Sequence, residues 1–369
     1  MLKLRASYGI GGNIGRNTAP YLIASYYDSS LVDGMAGSVN TPPNKDIRWE
    51  KTTTVNVGVD FALFRHRLSG TIEYYNKYSV DLLAAINGSP TQGFGYTTLM
   101  TNNGKMVNRG VEITLSGEII RQKDFSWNAS LLYAFNRNKV KHISVQPSLW
   151  DSRISMPTSY PMVGKPLYGI YAYKWAGLNE NGDPQVYDAE NNVTSGPARD
   201  YHALVYCGTT VPIHNASLTN VLRYKGFEFS AMLILDAGHK LRSSNIPSIN
   251  MSNGRITSTA KGIVDRWTQP GDVTDVPRLL FSNDTENFNT HRTELYRYSD
   301  LFVYDASNIR LSNISLAYRV PAHWCKKISL SGARLQFNVE NVATFAFDSK
   351  ANYDLGGKVK PNYVWGLYL

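Results

Sequence analysis

An all-β fold, an antiparallel transmembrane β-barrel portion of about ten long strands, follows from three observations. Strand-like segments come in pairs joined by tight turns, and long polar loops separate the pairs. Within the segments apolar and polar residues alternate with a period of two, the mark of a strand whose faces meet different surroundings. The segments run to about 12–16 residues, where soluble sheets mostly use about 5–6 and a tilted membrane-spanning strand needs about 9–11. Short turns on one side and long loops on the other are what a barrel with short periplasmic turns and long extracellular loops produces.

The first strand is 2–9, where Leu2, Leu4, Ala6 and Tyr8 alternate with Lys3, Arg5 and Ser7. Segment 48–63 sets Val55, Val57, Val59, Phe61 and Leu63 against Thr52, Thr54, Asn56, Gly58 and Asp60, and turns at 64–66 into 67–80. Segment 107–120 opposes Val111, Ile113, Leu115 and Ile119 to Glu112, Thr114, Ser116 and Glu118. It turns at 121–124 into 125–139, where Phe125, Trp127, Ala129, Leu131, Tyr133 and Phe135 oppose Ser126, Asn128, Ser130, Asn136 and Asn138. Segments 213–224 and 227–238 meet across Lys225-Gly226. Segments 307–320 and 328–343 meet across 321–327, and 363–369 is the tenth strand. An even number returns both ends to one side. Connections 81–106, 140–212 and 239–306 are the long loops; inside 140–212, LYGIYAYKWAGL and the turn ENGDP read as a hairpin within the loop. The apolar face is assigned to lipid and the polar face to a wet lumen. A β-sandwich, which turns the apolar face inward, is the alternative.

Composition supports the membrane reading. No segment carries the roughly 18–20 apolar residues of a spanning helix. The 24 Tyr, 7 Trp and 13 Phe suit two interfacial belts. Phe64, Phe125, Trp127, Tyr224, Phe227, Tyr318 and Trp324 lie near the short turns; Tyr8, Trp49, Tyr74, Tyr75, Tyr78, Tyr133 and Phe135 lie near the long loops. The net charge of +9 is scattered or gathered in the turns, which argues against nucleic acid. Cys207 falls in an outer loop and Cys325 in an inner turn, too far apart to pair.

Several strings resemble one family. LKLRASYGIGGNIG, NTPPNKDIRWEKTTTVNVGVDFALFRHRLSGTIEYYNKYSVDLL, PLYGIYAYKWAGLNENGDP, DRWTQPGDVTDVPRL and DASNIRLSNISLAYRVPAHW are similar to the barrel of SusC/RagA-type TonB-dependent outer-membrane transporters. The resemblance implies a barrel of about 22 strands, of which residues 1–369 would be the C-terminal part. Such a part would form an open, curved half-barrel, without the plug, N-terminal extension and signal peptide of a complete member. It also implies the outer membrane of a Gram-negative, Bacteroidota-type bacterium and a SusD-like surface lipoprotein as partner. TonB-ExbB-ExbD would supply energy through the region before this barrel part, and the substrate would be an oligosaccharide or peptide. Trp365, Leu367 and Leu369 give the closing strand its phase, but the family's final aromatic is missing. Two other readings stay open: a self-contained ten-strand barrel enzyme, such as an omptin-like surface protease, and a passive porin. A closed barrel would pair 2–9 with 363–369.

No catalytic set, cofactor motif or metal spacing emerges from the seven dispersed histidines. The run Gly9-Ile10-Gly11-Gly12-Asn13-Ile14-Gly15 precedes no helix and reads as the start of a loop. Asn179, Asn181 and Asp183 have the opening spacing of a calcium loop but lack its remainder, and read as a turn. Substrate contacts are expected from aromatic residues of the longest loop: Trp150, Tyr160, Tyr168, Tyr171 and Tyr173. Self-packing of a folded loop is the competing explanation for each.

Overall fold

The computed structural model describes the chain except residues 16–19, 29–32, 88–90, 92–97, 146–151, 197–199, 252–259, 282–289, 328, 356–360 and 369. Ten strands form one sheet in strict chain order. They are β1 (Leu2–Asn13), β2 (Glu50–Leu63), β3 (Leu68–Asn87), β4 (Thr98–Arg121), β5 (Phe125–His142), β6 (His214–Tyr224), β7 (Phe227–Ala237), β8 (Asn308–Arg319), β9 (Arg334–Ala346) and β10 (Asn362–Tyr368). Each pairs antiparallel with its neighbours. The sheet is open: β1 and β10 are its edges and do not pair with each other. The expected half-barrel is found, and the closed ten-strand barrel is not.

Register carries the two-faced pattern across the whole sheet. One row of directly opposed residues runs Leu2, Phe61, Gly70, Leu115, Leu131, Leu218, Leu233, Leu311. A row on the other face runs Arg5, Gly58, Glu73, Glu112, Ala134, Asn215, Asp236, Asn308. The apolar face is uncovered, with Leu4 at 75%, Val57 at 49%, Leu316 at 47% and Leu335 at 50% exposure. So wide an apolar surface is unstable in water and suits hydrocarbon. No helix among the described residues is long and apolar enough to cross a membrane. Phe64, Tyr224, Phe227 and Trp324 are exposed at the short-turn end, and Tyr8, Trp49, Tyr74 and Tyr78 at the other. Tyr75 departs from its expected belt position. It faces the lumen and packs across Gly110, where a side chain's Cβ would strike its ring and come within 2.5 Å of the Phe135 carbonyl oxygen.

The short turns are 64–67, 122–124 and 225–226. Phe64, Arg65 and His66 all adopt positive φ, at 52°, 56° and 66°. Three expectations need correction. The 81–106 loop is mostly strand: β3 and β4 pair on to Asn87↔Thr98, past a register break between Ser79 and Leu82, leaving 88–97 as the connection. The strand expected at 328–343 starts at Arg334, because Ala322–Lys327 forms a helical turn. The single hairpin expected in the 140–212 loop is two separate pairings. Gly169–Tyr173 pairs with Leu204–Thr209, and Trp175–Leu178 pairs with Pro184–Tyr187 across ENGDP. Cys207 and Cys325 are both free thiols.

Candidate functional site

Two surfaces can meet a solute: the polar wall of the half-barrel and the folded cap on its long-loop side. On the wall, Arg5 Nε donates to Asp60 Oδ2 at 2.7 Å and its Nη2 donates to Asp60 and Glu73. Thr71 adds its hydroxyl to Asp60 at 3.0 Å. Arg5 therefore offsets the carboxylates that the register places near one another, Glu73 opposing Glu112 directly. Farther along, Asn215 Nδ2 donates to Asp236 Oδ1 at 2.7 Å. A groove of about 340 Å³ runs beside Glu112, Thr114, Asn215, Ser217 and Asp236. Toward the short turns Glu228 accepts from Arg223 Nε at 2.7 Å and Arg334 Nη2 at 3.1 Å. Asn56, Asn108 and Asn136 Oδ1 and Arg310 Nε are buried without a partner among the described residues, while Thr114, Asn215 and Ser217 line the open groove. Such a surface can hold and pass a hydrated polar solute.

The cap forms where the 143–213 and 238–307 connections fold together. Tyr171, Tyr173, Val186, Ala203, Leu204 and Leu295 make one buried cluster, and Ile249, Tyr296 and Phe302 a second; Trp175 packs against both. Polar bonds fix the docking. Tyr173 N donates to the Tyr298 carbonyl at 2.9 Å, Trp175 N to Asp300 Oδ1 at 2.9 Å, and Trp175 Nε1 to Asp275 Oδ1 at 2.9 Å. At the centre Asp183 accepts from Arg278 Nη2 at 2.8 Å and from Arg292 Nε at 3.1 Å. Arg292 is only 2% exposed and also donates to the carbonyls of Ile249 at 3.1 Å and Arg278 at 2.7 Å and to Asn250 Oδ1 at 2.8 Å. Burial pulls its pKa down and Asp183 draws it back up.

Of the five loop aromatics expected to meet substrate, Trp150 lies outside the described residues. Tyr171 and Tyr173 are each 1% exposed within the cap core, and further protein around the cap can only cover them more. These two are corrected to packing residues: they belong to a strand, Gly169–Tyr173, buried at every position. Tyr168 is exposed at 46% and Tyr160 is half-buried; of the four described candidates, these two present surface outward. Asn179 and Asp183 form the expected turn. Asn179 Oδ1 accepts from the backbone of Asn181 at 3.0 Å and Asp183 at 2.9 Å, while Asp183 is held by the two arginines. No metal-holding group occurs among the described residues. Burial pushes the Cys207 thiol up to about 11, which leaves it protonated and unreactive at neutral pH.

Comparison with known proteins agrees with this architecture. The family model described as "TonB dependent receptor-like, beta-barrel" matches residues 1–342. TonB-dependent receptor P3 of Formosa agariphila is 26% identical over 99% of this chain and 37% of its own length. TonB-dependent receptor SusC of Bacteroides thetaiotaomicron is 26% identical over 92% of this chain and 34% of its own. A solved structure of the RagAB peptide transporter shares the fold at a TM-score of 0.75 and 24% identity, covering 99% of this chain and 40% of that one. The chain thus spans roughly two fifths or less of the proteins it matches.

Proposed function

The chain belongs to the TonB-dependent receptor-like β-barrel family, and on that premise we propose that it forms part of an outer-membrane importer. In this reading the complete protein takes up oligosaccharides or peptides. It works beneath a SusD-like surface lipoprotein and draws energy from TonB. The chain supplies wall and cap and catalyses no reaction. The observation that carries the reading is the pairing of a broad uncovered apolar face with a polar face on the same strands. That division suits a lipid-embedded passage. The relatives are TonB-dependent receptors, and the solved protein of like fold is a peptide transporter.

The test is uptake by cells expressing the complete gene product, with and without TonB. Labelled oligosaccharides and labelled peptides are offered in parallel. Loss of uptake on removing TonB is expected, and undiminished uptake would overturn the energised mechanism. Co-purification of the complete gene product with a SusD-like surface lipoprotein checks the partner.

A further inference from the structure

Above the bilayer, the upper ends of β3, β4 and β5 and the 158–167 segment enclose a cavity of about 480 Å³, within the range of small-ligand sites. Its walls include Leu82, Leu83, Met100, Met106, Val140 and Leu167. Among the described residues no Trp, Tyr or Phe ring lines it, and His142, Thr158 and Ser159 add polar groups to the lining. Met106 and Val140 are opposed in register and share the parity of lumen-facing Asn108 and Asn138, so the cavity sits at the outer mouth of the lumen. Its inner side is fixed in place: Val140 N donates to the Lys165 carbonyl and Gly164 N to the Val140 carbonyl, both at 2.9 Å, and Leu167 N donates to Asn138 Oδ1 at 2.9 Å. Charged residues stand at its edge. The Glu50 carboxylate is already engaged, accepting from Asn13 Nδ2 at 2.8 Å and Leu83 N at 2.9 Å. Lys105 is exposed and has no ion-pair partner among the described residues.

A sugar ring is recognised by stacking on a flat aromatic face together with a dense set of hydrogen bonds. The described lining offers no such face, and its polar groups are a minority beside Leu82, Leu83, Met100, Met106, Val140 and Leu167. These apolar walls match an aliphatic side chain, whose transfer from water they favour, and a nearby unpaired ammonium matches a carboxylate on the same ligand. We propose that this cavity is a side-chain pocket for an aliphatic residue of a peptide substrate, with Lys105 toward the peptide's acidic end. The proposal rests on the import reading and narrows its substrate to peptides.

The complete gene product in lipid nanodiscs, which leave no detergent tail to fill the pocket, is titrated with Gly-Gly-Leu-Gly-Gly, pentaglycine and maltohexaose. The leucine peptide is expected to bind about ten- to hundredfold more tightly than pentaglycine. Ala84→Trp, which fills the pocket, is expected to remove that preference, and Met106→Ala, a gentler change, to reduce it severalfold. Equal binding of the two peptides, an unaltered preference in both variants, or maltohexaose as the tightest ligand would overturn the proposal. So would a complete protein in which another segment fills the cavity and no peptide binds. Binding in nanodiscs needs no TonB. Peptide binding without TonB-dependent uptake would therefore sink the import reading alone, and TonB-dependent glycan uptake with no leucine preference would sink the pocket alone.

Discussion

Replacing Asp183 by alanine removes the single carboxylate on which two cap arginines converge. Arg292 is 2% exposed and the Arg278 side chain 24% exposed, so neither charge is well solvated once the partner is gone. Breaking a buried pair from one side costs about 3–5 kcal/mol, or about two to three and a half orders of magnitude in a local opening equilibrium. Arg292→Met is the contrasting change. It deletes the buried charge, leaves Asp183 bonded to Arg278, and removes the Arg292 donor from the Arg278 carbonyl and Asn250 Oδ1, at about 1–3 kcal/mol for a buried unmet group, while the Ile249 carbonyl keeps its bond from Leu280 N. Hydrogen exchange on the complete protein reads both. The reporting amides are Arg278 N, bonded to the Gly182 carbonyl at 3.0 Å, and Leu280 N, bonded to the Ile249 carbonyl at 3.1 Å. Asp183→Ala should lower their protection far more than Arg292→Met, with β6 and β7 unchanged. Equal effects, or unaltered protection in Asp183→Ala, would refute the clamp.

Three further outcomes are expected. Leu131→Arg, on the apolar row, should destabilise the barrel by about 2–4 kcal/mol near the bilayer midplane, while neighbouring Ser130→Arg should be nearly silent; reversal in urea titrations of folding into vesicles would invert the faces. Gly110→Ala brings a Cβ into the Tyr75 ring and within 2.5 Å of the Phe135 carbonyl oxygen, at about 1–3 kcal/mol, measured by the same titration and by the amount reaching the membrane. His239 is 9% exposed and its Nδ1 lacks a partner among the described residues. Burial depresses its pKa, against an upward pull from Asp236 and Asp305. A depressed imidazole stabilises fully above its unfolded pKa of about 6.5, and that contribution fades as pH falls toward the folded value. Exchange around 238–242, corrected for intrinsic rate, should therefore rise between about pH 7 and 5, and His239→Leu should flatten the rise.

The barrel wall was legible in the sequence because a period of two is a direct imprint of two environments. Where the imprint was interrupted, the reading failed for physical reasons. Asp81 adopts a positive φ of 56° at the register break, so the strand resumes out of phase and looks like a loop. On the returning strand Asn102 resembles a turn residue, yet its Nδ2 donates to the carbonyls of Arg48 and Asp81, both at 2.7 Å, bridging the irregularity. Tyr171 and Tyr173 misled in another way. Their run, GIYAY, is buried on both faces, and a continuous apolar run is itself the sign of two-sided burial. Arg292 left no local sign: it lies in the polar helix Thr290–Arg297 and meets Asp183 from 109 residues away.

Strand length links wall and cap. The 24 residues of β4 extend about 80 Å at about 3.3 Å each. A hydrocarbon core about 30 Å thick, crossed at about 45°, takes up about 42 Å of that length. Nearly half of β4 therefore projects past the bilayer as paired sheet, so the cap stands on a stiff extension of the wall. The aliphatic cavity lies on that extension, and Glu73, Glu112 and Asp236 lie lower, on the polar row. On the proposed function, a peptide arriving from outside would meet apolar side-chain recognition first and the polar passage second. That order suits import: an apolar surface inside the passage would hold the substrate back, whereas at the mouth it selects and then releases.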